Sequence, residues 1–345
     1  MYSIHKLINT ILQGDVLEQL KLIPTASIDC VITSPPYWQL RNYGFKQQWG
    51  LEDTFSEYLK KLWLMMDELK RIVKPTGTVW INLGDTYFGS GNGSGRSSQE
   101  ALSKLQPYKL GKIAPMKANA NKANQLIPKS LSLIPHRFAI GCSDRGWIVR
   151  NDIIWAKPNS LPESTKDRFS KKHEHIFLMT KQRDYYFDLD AVRDAHKTSS
   201  LNRVKYKVTA YSKDKENSKA TYEKGNAIKH TKIKMNPLGK NPGDVTDFWV
   251  ISNKGTKDNH FATFNTSLIS KPILSGCPKG GIVLDPFCGT GTTGVEAIRL
   301  SRKFIGIDAK KEYVKIAKKN IEQIPSAENN YSTLLKKLSA LHFTI

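Results

Sequence analysis

A short, β-branched run from Ile28 to Thr33 (IDCVIT) halts at Ser34-Pro35-Pro36. It reads as a buried strand that ends where prolines can no longer donate to a ladder. Over 55–73 (FSEYLKKLWLMMDELKRIV) apolar residues recur at helical spacing, and Pro75 and Gly77 predict the end of that helix. Gly77 to Leu83 (GTVWINL) follows as a strand, so the first 85 residues contain the strand–helix–strand unit of a parallel sheet. Trp147 to Lys157 and Glu174 to Lys181 read as two further strands. Near the end, Gly281 to Asp285 is a strand, 292–301 a helix, Lys303 to Asp308 a strand and 311–323 a helix. The chain carries no internal repeat.

Two stretches break this rhythm. Residues 88–125 hold GSGNGSGRSS at 89–98 and a Lys/Asn/Ala-rich part at 110–124, a composition that predicts a mobile loop or a plain surface loop. Residues 197–240 carry twelve Lys or Arg against three Asp or Glu and few large aliphatics. That segment cannot bury much apolar area alone and has to lean on the main domain or on a ligand. The whole chain has a net charge of +22, which points to a polyanion such as nucleic acid, because each neutralised phosphate releases counterions. Cys30, Cys142, Cys277 and Cys288 lie far apart with no CxxC pair, which argues against zinc and against a disulfide framework and suits a reducing cytoplasm. No run approaches the ~20 apolar residues needed to cross a bilayer.

The segment IVLDPFCGTGTTGVEAI sets a glycine turn between a strand and a helix. Glycines let backbone approach a ligand closely, and Gly289-Thr290-Gly291-Thr292-Thr293-Gly294 has the GxGxxG spacing of dinucleotide sites. Asp308 ends the next strand, nineteen residues after Gly289, where a carboxylate can accept both hydroxyls of a ribose. The pattern suggests an adenosine-containing cofactor without choosing one.

Thr33-Ser34-Pro35-Pro36-Tyr37-Trp38 offers a different chemistry. A conjugated exocyclic amine can act as a nucleophile only when its delocalised lone pair is freed toward the electrophile. Two hydrogen-bond acceptors on the N–H groups accomplish this: the Ser34 hydroxyl oxygen and a backbone carbonyl held by the stiff Pro35-Pro36 turn. Tyr37 supplies a flat surface for an unstacked base. The chain has no Pro-Cys dipeptide, so a cysteine nucleophile in that setting is not offered.

DPFCGTGTT resembles the S-adenosylmethionine loop of amino-methylating DNA methyltransferases, and SPPYW resembles their catalytic turn. The resemblance implies an α/β Rossmann-like methyltransferase sheet. Asp285, Phe287, Gly289, Gly291 and Thr292 would hold the cofactor, with Asp308 on the ribose. Ser34, Pro35, Pro36 and Tyr37 would be catalytic. Serine in the first position leans to the 4-amino group of cytosine, with N6 of adenine as the alternative.

The catalytic turn precedes the cofactor loop, as in the circularly permuted β-class. An N-terminal strand should therefore pair beyond the strand ending at Asp308, within the family-like segment 11–24. Asp15 would then meet the adenine amino group, although by itself it reads equally as a helix N-cap. His260-Phe-Ala-Thr-Phe264 resembles the segment before the cofactor loop, with Asn265 in place of the family's proline. Asn82–Tyr87, Trp155–Asn159 and His173–Phe177 resemble family segments as well. Asp85 among them reads as a loop anchor.

The implied organisation is a methyltransferase domain in two parts, 1–190 and 244–325, around a basic target-recognition insertion at 191–243, with a tail at 326–345. The implied partner is double-stranded DNA, with no membrane and no metal. A cognate restriction endonuclease is a further partner of this kind of enzyme, and monomer and homodimer stay open. A nicotinamide oxidoreductase and a non-catalytic DNA-binding protein are the rival readings.

Overall fold

The computed structural model describes residues 3–40, 42, 44, 48–88, 127, 129–160, 163, 165–205, 235–245, 249–251 and 266–324. The strands are β1 (Thr10–Gln13), β2 (Ile28–Thr33), β3 (Val73–Leu83), β4 (Ile148–Ala156), β5 (His173–Thr180), β6 (Ile282–Asp285) and β7 (Lys303–Asp308). The helices are α1 (Ile4–Leu7), α2 (Val16–Leu20), α3 (Phe55–Ile72), α4 (Ile134–Asp144), α5 (Thr198–Lys205), α6 (Thr266–Gly276), α7 (Thr292–Arg299) and α8 (Lys311–Glu322).

Every residue of β2 is buried, as befits a strand covered on both faces. α3 starts with a capping box in which Thr54 and Glu57 satisfy each other's backbone N–H, and it buries Tyr58, Leu62, Met65, Met66 and Leu69 along one stripe. It ends at Ile72, and β3 begins at once, four residues earlier than the sequence pattern suggests. Val73 pairs with Ile28, and the register then slips before Thr78 pairs with Cys30. Pro75 and Gly77 lie in that irregularity, where a missing N–H is tolerated.

The sheet order is β1-β7-β6-β2-β3-β5-β4, parallel except for β5. β1 runs beside β7 with Thr10 opposite Ile305 and Gln13 opposite Asp308. The N-terminal strand therefore extends the sheet past the last strand, as the permuted order requires. Strand side chains alternate between two cores. Val31, Val79, Ile81, Phe177 and Leu284 meet α3 and α4 on one face. Cys30, Ile32, Trp80, Leu178 and Val283 meet α6, α7 and α8 on the other. All four cysteines are buried free thiols, and burial raises each thiol's pKa.

The parallel strands bring several connections to one edge. The Ser34–Tyr37 turn follows β2, the segment after Leu83 follows β3, the glycine loop follows β6, and Asp308 ends β7. The chain from β4 into the antiparallel β5 crosses the same edge. Ligands of open α/β sheets bind at this edge.

Of the loop expected over 88–125, only Phe88 is among the described residues. Phe88 is buried, stacks on Trp38 at 6.3 Å and exchanges backbone hydrogen bonds with Lys129 and Ser130, so it belongs to the core. The remainder of that loop, 89–125, lies outside the described residues. So do most of the basic segment, 206–234, and the tail expected at 326–345. The two sides of the basic segment meet at its base, where Asp194 and Lys240 exchange both backbone hydrogen bonds. Among the described residues, no helix is long and apolar enough to cross a membrane.

Candidate active site

β2 and β6 are hydrogen-bonded neighbours, so the two loops singled out in the sequence leave the sheet side by side. A buried hydrogen bond joins them: the Thr33 hydroxyl donates to Asp285 Oδ1 at 2.7 Å. That carboxylate also accepts from the Phe287 N–H at 3.0 Å, and its Oδ2 accepts from the Thr293 hydroxyl at 2.6 Å. Asp285 is thereby a tie between the catalytic strand, the glycine loop and α7. Burial pushes its carboxyl up to about 6, against the three donors that favour the charged form.

The glycine loop is shaped for close approach. Gly289 and Gly291 have φ of +52° and +84°, in the left-handed region. A Cβ on Gly291 would lie 3.0 Å from the Ala317 Cβ on α8. Gly291 starts α7 with no side-chain cap, leaving first-turn N–H groups as donors at the edge of the cleft. Asp308 reaches back to this loop. Its Oδ2 accepts from the Gly289 N–H at 3.0 Å and its Oδ1 from the Lys310 N–H at 2.8 Å, and burial pushes it up to about 6. Across the cleft, Trp49 meets Phe287 edge-on at 5.3 Å. A glycine turn, a carboxylate with spare lone pairs and an aromatic wall fit an adenosine with an extended polar tail.

The Ser34–Tyr37 turn is held by side chains from distant strands. Tyr37 donates its hydroxyl to Glu174 Oε2 on β5 at 2.6 Å and lies 3.0 Å from Asn82 Oδ1 at the end of β3. Burial and the Glu174 charge hold the Tyr37 phenol well above its usual pKa, so it stays a donor. Glu174 is neutralised in turn by Lys157, whose ammonium lies 4.2 Å from the centre of the Trp155 ring. The Tyr37 ring rests directly on Gly84, where an added Cβ would come within 2.5 Å of it. Ser34 Oγ is 3.3 Å from the Tyr37 hydroxyl. Tyr58 occupies the Pro36 carbonyl at 2.8 Å, whereas among the described residues the Pro35 carbonyl accepts no hydrogen bond. A stiff carbonyl and a hydroxyl, set beside a tethered aromatic ring, form the acceptor pair that an exocyclic amine requires.

Comparison with known proteins agrees with this arrangement. The sequence profile of the N6/N4 DNA methylases matches residues 28–319. Type II methyltransferase M.Cfr9I of Citrobacter freundii is 34% identical over 308 residues, spanning 89% of this chain and 86% of that protein. The chain belongs to the N6/N4 DNA methylase family. Type II methyltransferase M.SmaI of Serratia marcescens is 32% identical over 90% of each chain. Among solved structures, the cytosine-N4-specific PvuII DNA methyltransferase superposes with a TM-score of 0.57 at 19% identity, covering 95% of this chain and 91% of its own. The putative DNA modification methylase TTHA0409 of Thermus thermophilus, complexed with S-adenosyl-L-methionine, gives 0.53 at 20% identity, covering 90% and 92%. At these identities the structural likeness carries the fold.

In this DNA methylase, Ser34, Pro35, Pro36, Tyr37, Asp285, Phe287, Gly289, Gly291, Thr292 and Asp308 all gather at one edge of the sheet. Asp15 is an N-cap: its Oδ1 accepts from the Leu17 N–H at 2.9 Å, and its Oδ2 accepts from the Trp49 indole at 3.1 Å. His260 and Phe264 lie outside the described residues. Asp85 does anchor, with Oδ1 accepting from the Thr86 and Ile134 N–H groups. Sequence reasoning missed Trp49 and gave Thr33, Glu174 and Lys157 no role of their own, although each of these three lies in a segment it singled out. Glu174 sits inside a segment already noted for its likeness, but nothing along the chain announces that it meets Tyr37, 137 residues away.

Proposed function

We propose that this DNA methyltransferase modifies the exocyclic amine of a base rotated out of duplex DNA, with N4 of cytosine as its target. The observation that carries the reading is the buried Thr33–Asp285 hydrogen bond, which sets the amine-binding turn one strand away from the glycine loop. When bound, S-adenosylmethionine supplies an electrophilic methyl on its sulfonium.

The chain's own residues do the positioning. Asp308 accepts the ribose hydroxyls. Backbone from Gly289 to Thr292 lines the methionine end, and Phe287, braced by Trp49, forms the wall of the cleft. Asp285 keeps the two loops in register through its three hydrogen bonds, and at the head of the glycine loop it faces the methionine end. Ser34 Oγ and the Pro35 carbonyl accept the two amine N–H groups and turn the nitrogen lone pair toward the methyl. Tyr37, tethered through Glu174 and Asn82, is the platform under the base. The amine is inaccessible within a pair, so the nucleotide must leave the stack first. The basic insertion expected at 191–243 grips phosphates, which position the enzyme, and contributes the reading of sequence. Ser34 in the first place of the turn favours cytosine.

The test is nucleoside mass spectrometry of DNA from a methylation-free host expressing the chain. Accumulation of 4-methylcytosine is expected. Accumulation of 6-methyladenine instead would overturn the cytosine assignment, and absence of both would overturn the reading as a whole.

A further inference from the structure

Phe169 is 96% exposed, a rare setting for so large an apolar side chain. It stands on the connection from β4 to β5, at the sheet edge that carries the catalytic turn. This connection is buttressed. The Arg168 guanidinium lies 3.6 Å from the centre of the Tyr87 ring. Arg168 Nη1 also donates to Glu163 at 2.5 Å and to the Phe169 carbonyl at 3.2 Å. Lys129 pairs with Asp167 at 2.6 Å, and the Lys171 ammonium donates to the Asp85 carbonyl, one residue from the Gly84 that supports Tyr37. The backbone on both sides of Phe169 is thus tied to the rim of the base site, while the ring itself is held in solvent.

The surroundings name the occupant. Both acidic side chains of 163–172 are engaged in ion pairs, which leaves Lys166 and Lys172 exposed and without an acidic partner among the described residues. An aromatic ring offered to water between free ammonium groups suits neither a core nor an apolar protein groove. It suits a polyanion with an apolar interior, which is duplex DNA.

We propose that Phe169 is a wedge that enters the base stack as the target nucleotide leaves it, filling the gap and slowing its return. Apolar side chains inserted between base steps offset part of the loss of stacking. The inference rests on the base-rotation reading above, and it adds a residue that acts on the duplex and not on the reacting amine.

The test uses the full chain and two oligonucleotide duplexes bearing the site found by sequencing the methylated DNA. In one duplex the target base is normally paired, and in the other it faces an abasic position, so little unpairing remains. Single-turnover methyl transfer by Phe169→Ala should fall about tenfold or more on the paired duplex and stay within about twofold of wild type on the abasic one. Phe169→Trp, which keeps a large ring, should retain most of the paired-duplex rate. Because the side chain touches almost nothing in the protein, folding should be unaffected. A Phe169→Ala enzyme as fast as wild type on the paired duplex, or slowed equally on both, would overturn the wedge. Wild-type enzyme that methylated the paired duplex but not the one with the unpaired target would instead overturn the base-rotation reading itself.

Discussion

Asp308 and Asp285 end neighbouring strands, and burial pushes both carboxyls from an ordinary 3.8 to about 6. The sign of the consequence follows from linkage. Both groups bind protons more tightly in the folded protein. Their contribution to stability is therefore fully present below about pH 4 and is lost as pH rises through about 6. Cofactor binding should run the other way, because only the ionised Asp308 is a pure acceptor for two ribose hydroxyls. The dissociation constant for S-adenosylmethionine should rise as pH falls below about 6, approaching tenfold per pH unit for one linked proton. Asp308→Asn should bind weakly at all pH values and flatten the profile. Calorimetric titration between pH 5 and 8 checks this, and a wild-type affinity independent of pH would remove Asp308 from the ribose. Asp15 shows where residue types stop being informative. A lone aspartate before a helix reads equally as an N-cap or a ligand, and nothing along the chain shows that its second oxygen meets the Trp49 indole, 34 residues on.

At the scale of elements, the Thr33–Asp285 bond is the joint on which the site turns. Thr33→Val keeps the shape and removes the donor, leaving a buried carboxylate short of one of its three partners. The expected cost is about 1–3 kcal/mol, seen as a lower melting temperature together with weaker cofactor binding. Thr33→Ser, which keeps the hydroxyl, should restore most of both. A Thr33→Val protein that matched wild type while Thr33→Ser lost stability and affinity would mean that the methyl group, not the hydrogen bond, matters. The strands β2, β6 and β7 were legible because buried parallel strands are short apolar runs bounded by turn residues. α3 was legible from its stripe. α4 and α6 were not. α4 starts after a left-handed Leu133 with no side-chain cap and contains Pro135 and Gly141; α6 carries Pro272 in its interior. Both helices are sustained by burial against the sheet, which overrides weak local propensity.

The whole molecule carries +22, and 197–240 concentrates that charge. DNA affinity should therefore fall steeply with salt, the logarithm of the binding constant dropping with a slope near −0.9 per phosphate contacted. Replacing Lys207, Lys213 and Lys215 by Gln should make that slope shallower by about one for each phosphate that is no longer neutralised, as read by fluorescence anisotropy across a salt series. An unchanged slope would place the phosphate grip elsewhere on the chain. What the amino-acid order determined by itself was chemistry and sequence of parts: an acceptor turn first, a cofactor loop later, a ribose acid after it, and from that order a permuted sheet. These are local facts, written in prolines, glycines and strand-length apolar runs whose meaning depends on their immediate neighbours. The tertiary structure alone decided which distant side chains hold those parts. Tyr37 to Glu174, Thr33 to Asp285 and Arg168 to Tyr87 are meetings between strands and loops far apart in the chain. Strand order sets such contacts, because each neighbouring pair in the sheet brings together residues whose spacing along the polypeptide carries no trace of their proximity.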